Sequence, residues 1–262
     1  PLPLPETADR AVMPVTDGRR VYAYVSGRAP GSRSRARRLA AFSLGGQEEE
    51  TVTDDTPLVT PRGLFVSPSG AFLGFFLDNR STDETELWTY DTGSRTKRVS
   101  VENLRRSDVR GPFFSADGSF LLVSGSKVLR GSPRRTGVDI LSATLPSDVR
   151  WESGAAVAPA GDRIALLTVL GDARTPVGRV VELSLDQGTE EVRHAVEGRL
   201  LNILGWNADD AIILTPEESD FAETPKGSTV LVLQGDEIIE YTLEKGTFSP
   251  VVSGDGGMVG AL

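Results

Sequence analysis

The sequence predicts an all-β fold of repeated four-stranded antiparallel sheets, and three observations carry the expectation. A short turn recurs five times: Val15-Thr16-Asp17-Gly18, Ser67-Pro68-Ser69-Gly70, Ser115-Ala116-Asp117-Gly118, Ala158-Pro159-Ala160-Gly161 and, more loosely, Asn207-Ala208-Asp209-Asp210. Its last positions, 18, 70, 118, 161 and 210, are spaced by 52, 48, 43 and 49 residues. Glycine at 28 and proline at 16 copies supply many turns, while helical periodicity is weak throughout. Short strands with glycine turns at regular spacing fit a sandwich, a barrel or a propeller. A period of this length with four strands in each selects a β-propeller. Five repeats are visible, and the length allows five or six blades at roughly 45 residues each.

Within one repeat the order is strand, tight turn, strand, variable loop, strand, glycine turn, strand. Residues 1–12 carry Pro1, Pro3 and Pro5, which deny them a helix. They read as an extended N-terminal arm, either an outer strand for the last blade or a linker. The propeller is expected over 13–253, in repeats of about 13–60, 61–104, 109–150, 151–198 and 199–253, with a Gly-rich tail at 254–262.

In the first repeat, 20–25 is a strand, 28–38 a loop and 39–44 a strand; Gly45-Gly46 turns the chain toward 50–53. The second repeat has strands at 63–67, 71–77, 87–90 and 95–99, with a loop at 78–86 and a turn at Asp91-Thr92-Gly93. Aspartate bonds locally to the backbone and glycine accepts positive φ, so both suit hairpin connections. The best helical candidate is 101–106, enough for one or two turns.

The third repeat has strands at 111–115, 120–124 and 138–141, with a loop at 125–137. The fourth has 155–158, 163–170 and 179–185 before Asp186-Gln187-Gly188. The fifth has 201–206 and 211–215, a long acidic loop, and an extra hairpin of 228–233 and 237–243 around Gly235-Asp236. A last strand is expected at 248–253.

These residues carry a resemblance. The S-P-D-G-like turn, the apolar strand after it, and a strand of the Leu87-Trp88-Thr89-Tyr90-Asp91 type before a glycine turn resemble TolB-type and WD-repeat-like β-propellers. An LpqB-like lipoprotein propeller domain is a narrower form of the same likeness. The resemblance covers 12–253 and is weakest at the fifth copy, which lacks glycine. It implies a cell-envelope, periplasmic or extracytoplasmic setting.

Composition narrows the function classes. The formal net charge of -9 opposes general nucleic-acid binding, which needs a basic footprint, and adhesion to an anionic membrane. With no cysteine there is no disulfide, thiolate metal site or cysteine nucleophile. No apolar run of about 18 residues exists to span a bilayer. The chain begins at Pro1, and an upstream export signal or membrane anchor is expected; a cytoplasmic protein is the alternative.

Chemistry-bearing residues are few. His194 is the only histidine, it lies on an outer strand, and the chain has no G-x-S-x-G turn. Carboxylates crowd 78–86 (Asp78, Asp83, Glu84, Glu86) and 217–223 (Glu217, Glu218, Asp220, Glu223), in no EF-hand spacing, and read as solvated loops. The basic loops are more suggestive. Arg28, Arg33, Arg35, Arg37 and Arg38 fall in one strand-two to strand-three loop, and Lys127, Arg130, Arg134 and Arg135 in its counterpart two repeats later. In a propeller both would emerge on one face with the acidic loops, a segregated surface that orients a charged partner. Arginine forks suit carboxylates and phosphates; the bland alternative is a solvated Ser/Arg/Gly loop. Trp88 is expected between blades, and Trp151 and Trp206 either at the ends of a central channel or in the core. The Asn79-Arg80-Ser81 sequon matters only in a eukaryotic secretory setting.

The expected function is a non-catalytic, monomeric propeller that binds a protein or peptide, without cofactor, metal or nucleic acid. The alternatives are a propeller hydrolase or lyase, the propeller part of a larger peptidase, and a structural module of a longer chain.

Overall fold

The computed structural model describes residues 8–28, 35–54, 59–151, 154–170, 177–197, 201–207, 209–216, 229–235, 237–242, 251–252 and 258–259. The fold is a β-propeller of four-stranded antiparallel sheets, five of them, with no α-helix among the described residues. Sheet one holds β1 (Ala8–Thr16), β2 (Arg20–Arg28), β3 (Arg35–Ser43) and β4 (Glu48–Asp54). Sheet two holds β5 (Val59–Val66), β6 (Phe72–Asn79), β7 (Glu84–Asp91) and β8 (Thr96–Arg105). Sheet three holds β9 (Val109–Phe114), β10 (Phe120–Ser124), β11 (Lys127–Gly131) and β12 (Val138–Thr144). Sheet four holds β13 (Ala155–Val157), β14 (Arg163–Leu170), β15 (Val177–Ser184) and β16 (Glu190–Glu197). Sheet five holds β17 (Leu201–Trp206), β18 (Ile212–Pro216), β19 (Thr229–Gln234) and β20 (Glu237–Thr242). A two-stranded pair, β21 (Val251–Val252) and β22 (Met258–Val259), follows.

Two compact units divide the chain. One comprises Pro1–Pro112, Gly118–Gly125 and Arg130–Asp139; the other comprises Phe113–Asp117, Ser126–Leu129 and Ile140–Leu262. In the first unit, two-residue alternation turns Tyr22, Tyr24, Leu39 and Ala41 of sheet one to the same side. They join Val52, Leu64, Leu73, Phe75 and Tyr90 in one core cluster, with Trp88 against its edge, so sheets one and two pack face to face. Each large apolar side chain fully buried there contributes about 1.5–3 kcal/mol. The opposite side of sheet one carries a second cluster, Ala23, Val25, Ala40 and Phe42. In the second unit, sheets four and five share a cluster that includes Leu167, Val180, Leu201, Ile203, Leu214 and Leu231.

The recurrent turn places glycine at positive φ in its first four copies: Gly18 at 85°, Gly70 at 72°, Gly118 at 83° and Gly161 at 75°. The fifth copy keeps the geometry without glycine, with Asp210 at φ 62°; aspartate is among the few side chains that tolerate this region. The first side chain of the turn often pins it. Ser67 Oγ accepts from the Phe72 amide at 3.0 Å, and Asn207 Oδ1 from the Ala211 amide at 2.8 Å. Turns of successive sheets also touch: Gly70 sits against the Asp17 backbone, and the Ala116 amide donates to Pro159 O at 3.3 Å.

Four expectations are corrected. Residues 125–137 are not one loop, because β11 occupies 127–131 with Val128 and Leu129 buried. Residues 138–144 therefore form the fourth strand of sheet three, not the third. Residues 101–106 are not helical: β8 runs through them, with Val101 and Leu104 buried and Asn103 at φ 57°. The hairpin after the acidic loop is not extra; β19 and β20 are the third and fourth strands of sheet five. The N-terminal arm already pairs with β2 from Ala8, as the first strand of sheet one.

Candidate functional site

The basic run of sheet one lies on a strand rather than in a loop. Arg35 pairs across from Arg28, Arg37 from Ser26 and Arg38 from Val25; Arg33 lies outside the described residues. Alternation sends Arg37 and Arg38 to opposite sides of the sheet. Arg38 is consumed by a fork onto Glu48, with Nε to Oε1 at 3.2 Å and Nη2 to Oε2 at 2.9 Å. Arg37 turns to the side that faces sheet two, and its Cζ stacks 4.3 Å from the Tyr24 ring centroid.

Sheet two meets it with a second arginine that the sequence reading missed. Arg62 stands on β5 opposite Phe76, and its Cζ lies 4.7 Å from that ring. Arg62 Nε donates to Asp78 Oδ2 at 2.7 Å. The other carboxylate oxygen accepts from Thr85 Oγ1, also at 2.7 Å. Asp78 is 6% exposed, so it is a buried partner and not part of a solvated acidic loop. Between the two arginines, the Tyr24 hydroxyl donates to the Gly63 carbonyl.

Charge in this group is unbalanced. Both Asp78 oxygens are committed, one to Arg62 and one to Thr85. Among the described residues Arg37 makes no ion pair, and Arg37 Nε and Arg62 Nη2 are buried without a hydrogen-bond partner. An unmade buried hydrogen bond costs about 1–3 kcal/mol, which an oxygen ligand would recover. Burial pushes the Tyr24 hydroxyl well above the ordinary tyrosine range; Arg37 and Arg62 pull it back and Asp78 adds to the rise. That hydroxyl therefore stays protonated and serves as a donor. Arg62 was legible only weakly, as a charge next to Gly63 in an otherwise apolar strand.

The remaining candidates are dispersed. Lys127 is exposed at the start of β11, and Arg130 is half-buried near its end. Arg134 and Arg135 sit in the β11–β12 connection, at the opposite end of sheet three from the β10–β11 turn, so one charged face does not unite the set. The strand at 127–131 is the reason. Arg134 lies over the Phe72 ring at 5.6 Å, and Arg135 pairs with Asp139. This connection docks on sheet two through Thr89 Oγ1 to Pro133 O at 3.1 Å and the Gly137 amide to Ser100 O at 2.8 Å. Glu217, Glu218 and Asp220 lie outside the described residues.

Trp151 is half-buried and stacks on Phe113 at 6.5 Å. Trp206 packs against the core of sheets four and five, with Arg163 Cζ 5.0 Å from its ring, and its Nε1 donates to Asp210 Oδ1 at 3.1 Å. His194 stands on β16, the outer strand of sheet four, and burial lowers its pKa. Among the described residues no cluster of three or more histidines or carboxylates is placed to hold a metal, and no helix is long and apolar enough to cross a membrane.

No protein-family model matches the sequence, nor does any curated protein sequence. Solved structures do match in fold. The β-propeller domain of the Trilobed protease from Pyrococcus furiosus superimposes with a TM-score of 0.60 at 13% identity, over 90% of this chain and 71% of that one. TolB from Acinetobacter baumannii gives 0.51 at 14% identity, over 91% and 55%. Oligogalacturonate lyase from Vibrio parahaemolyticus gives 0.53 at 12% identity, over 87% and 60%. The chain thus spans less than two thirds of the lyase and of TolB, and the likeness, at these identities, is one of fold: a TolB-like β-propeller.

Proposed function

We propose that this chain is a non-catalytic β-propeller that binds a protein or peptide partner, in an extracytoplasmic, cell-envelope setting. The observation that supports binding is the imbalance at Arg37 and Arg62: cationic donors are held in place on aromatic rings and left unsatisfied, while the neighbouring carboxylate is fully committed. Such a group offers recognition; it presents no activated nucleophile or free base. The TolB likeness supports the envelope setting. Panning a displayed random-peptide library on the immobilised chain tests the reading. Enriched peptides should bind the native chain with a measurable Kd and not the denatured chain; no enrichment over the denatured chain overturns it.

The enzyme alternative has its own support, because similar folds include oligogalacturonate lyase, prolyl endopeptidases and an acylaminoacyl peptidase. Incubation of the same preparation with chromogenic peptides and with oligogalacturonate separates the two. Turnover above buffer, abolished by denaturation, favours the enzyme.

A further inference from the structure

Resting on the binding reading, we infer that Arg37 and Arg62 form a subsite for an acidic side chain of the partner, an aspartate or glutamate carboxylate clasped between two guanidiniums from neighbouring sheets.

Three geometric features converge on this. A chain of contacts makes the two arginines neighbours: Arg37 stacks on the Tyr24 ring, and the Tyr24 hydroxyl bonds the carbonyl of Gly63, the residue after Arg62. Second, each guanidinium lies over an aromatic ring, Tyr24 or Phe76, which limits its freedom before any ligand arrives; a planar fork held this way loses little entropy on binding. Third, β5 breaks register between Arg62 and Phe65, and Gly63 takes φ 63° there. A bulge of this kind re-aims the side chain beside it and recurs next to functional sites. The Arg62 side chain remains 38% exposed, so the site opens to solvent on the Arg62 side.

The ligand class follows from charge and count. Asp78 pairs with Arg62, and among the described residues no carboxylate pairs with Arg37, which leaves a surplus of one positive charge there. Each arginine holds one buried nitrogen without a hydrogen-bond partner. Two donors from two forks match the two oxygens of one carboxylate, whereas a phosphate dianion brings a second charge against Asp78 and against a chain of net charge -9.

Fluorescence anisotropy with defined probes tests the inference. The probes are a labelled glutamate-rich hexapeptide capped at both ends, its glutamine counterpart, its lysine counterpart, and the glutamine peptide with a free C-terminal carboxylate. The capped glutamate peptide should bind about tenfold or more tighter than the glutamine peptide. Arg37→Gln and Arg62→Gln should each remove most of that difference, with acetate a better competitor than phosphate at equal ionic strength. Arg37→Glu supplies a control that does not depend on loss alone: it should reverse the preference toward the lysine peptide while circular dichroism stays native. Tight binding of the free-carboxylate glutamine peptide, but not the capped glutamate one, would overturn a side-chain ligand in favour of a chain terminus. Library peptides that bind equally well whatever their charge, and ignore both arginine substitutions, would overturn the subsite and leave the binding reading intact. Binding of no peptide, together with turnover in the enzyme assays, would overturn both.

Discussion

A Cβ on Gly70 would lie 2.7 Å from the Asp17 carbonyl oxygen, whereas one on Gly18 would meet nothing within 4 Å. Both residues have positive φ, so the pair separates backbone strain from steric contact. Gly18→Ala should cost about 1 kcal/mol, the strain alone. Gly70→Ala should cost at least about 2–3 kcal/mol, because the opposing atoms are backbone and cannot swing aside. Equal losses in urea unfolding would remove the turn-to-turn contact from the account. Asp210 shows what the sequence did and did not reveal at this scale. The fifth copy of the turn was recognisable by spacing, yet its missing glycine made it look like the weakest one. Its aspartate holds the same left-handed geometry and also bonds Arg163 and Trp206, partners that a linear pattern cannot display. His194 offers a second single-residue test. Burial holds its pKa below the ordinary histidine value, so the unfolded chain takes up that proton first. Its contribution to stability is full above the ordinary value and is lost as pH falls through it toward the folded value. The lone imidazole proton resonance should titrate below the free-histidine midpoint, and His194→Gln should flatten stability across that window.

At the scale of elements, sheets four and five are clamped by one arginine. Arg163 Nη1 meets Glu182 Oε1 at 2.9 Å and Nη2 meets Asp210 Oδ1 at 2.7 Å. The two arms are unequal. Glu182 is 9% exposed in its side chain and Asp210 57%, so the Asp210 pair is screened and adds little. Arg163→Met leaves the Glu182 carboxylate, among the described residues, to Arg193 at 3.9 Å, and should cost about 2–4 kcal/mol. The double substitution Arg163→Met with Glu182→Met should recover most of the loss; a double variant as unstable as the single one would assign the effect to packing on Trp206 instead. Elements were legible where burial on both faces imposed an unbroken apolar run, as in β6 and β14. They were not where short strands sit among glycines. The five residues of β11 lie between Gly125 and Gly137, with Gly131 at its end, and the flanking Ser-Pro-Arg-Arg run dominated the local signal. That slip also carried Arg134 and Arg135 to the wrong end of sheet three, since miscounting one strand reverses the end at which every later connection emerges. In β8 the apolar spacing of Val101 and Leu104 mimicked a helical turn, because a register shift in the β7–β8 ladder breaks the two-residue period.

For the whole molecule the deciding quantity is charge at two distances. The chain carries -9, so an acidic peptide is repelled at long range even though Arg37 and Arg62 attract its carboxylate at contact. The two terms respond to salt on different parts of the binding path. Screening acts over about 8 Å at 0.15 M and about 30 Å at 0.01 M ionic strength, so added salt mostly removes the distant repulsion met before contact. The association rate of the capped glutamate peptide should therefore rise as salt increases from 0.01 to 0.15 M, opposite to the fall expected of a partner steered by a basic face. The dissociation rate should rise as well, because Arg62 is partly solvent-exposed. Stopped-flow anisotropy resolves the two rates. In Arg37→Gln the association rate should keep its salt dependence, since net charge barely changes, while dissociation becomes faster at every ionic strength. An association rate that falls with salt in the parent chain would mean that an extended basic surface captures the peptide, and would move recognition away from this pair of arginines.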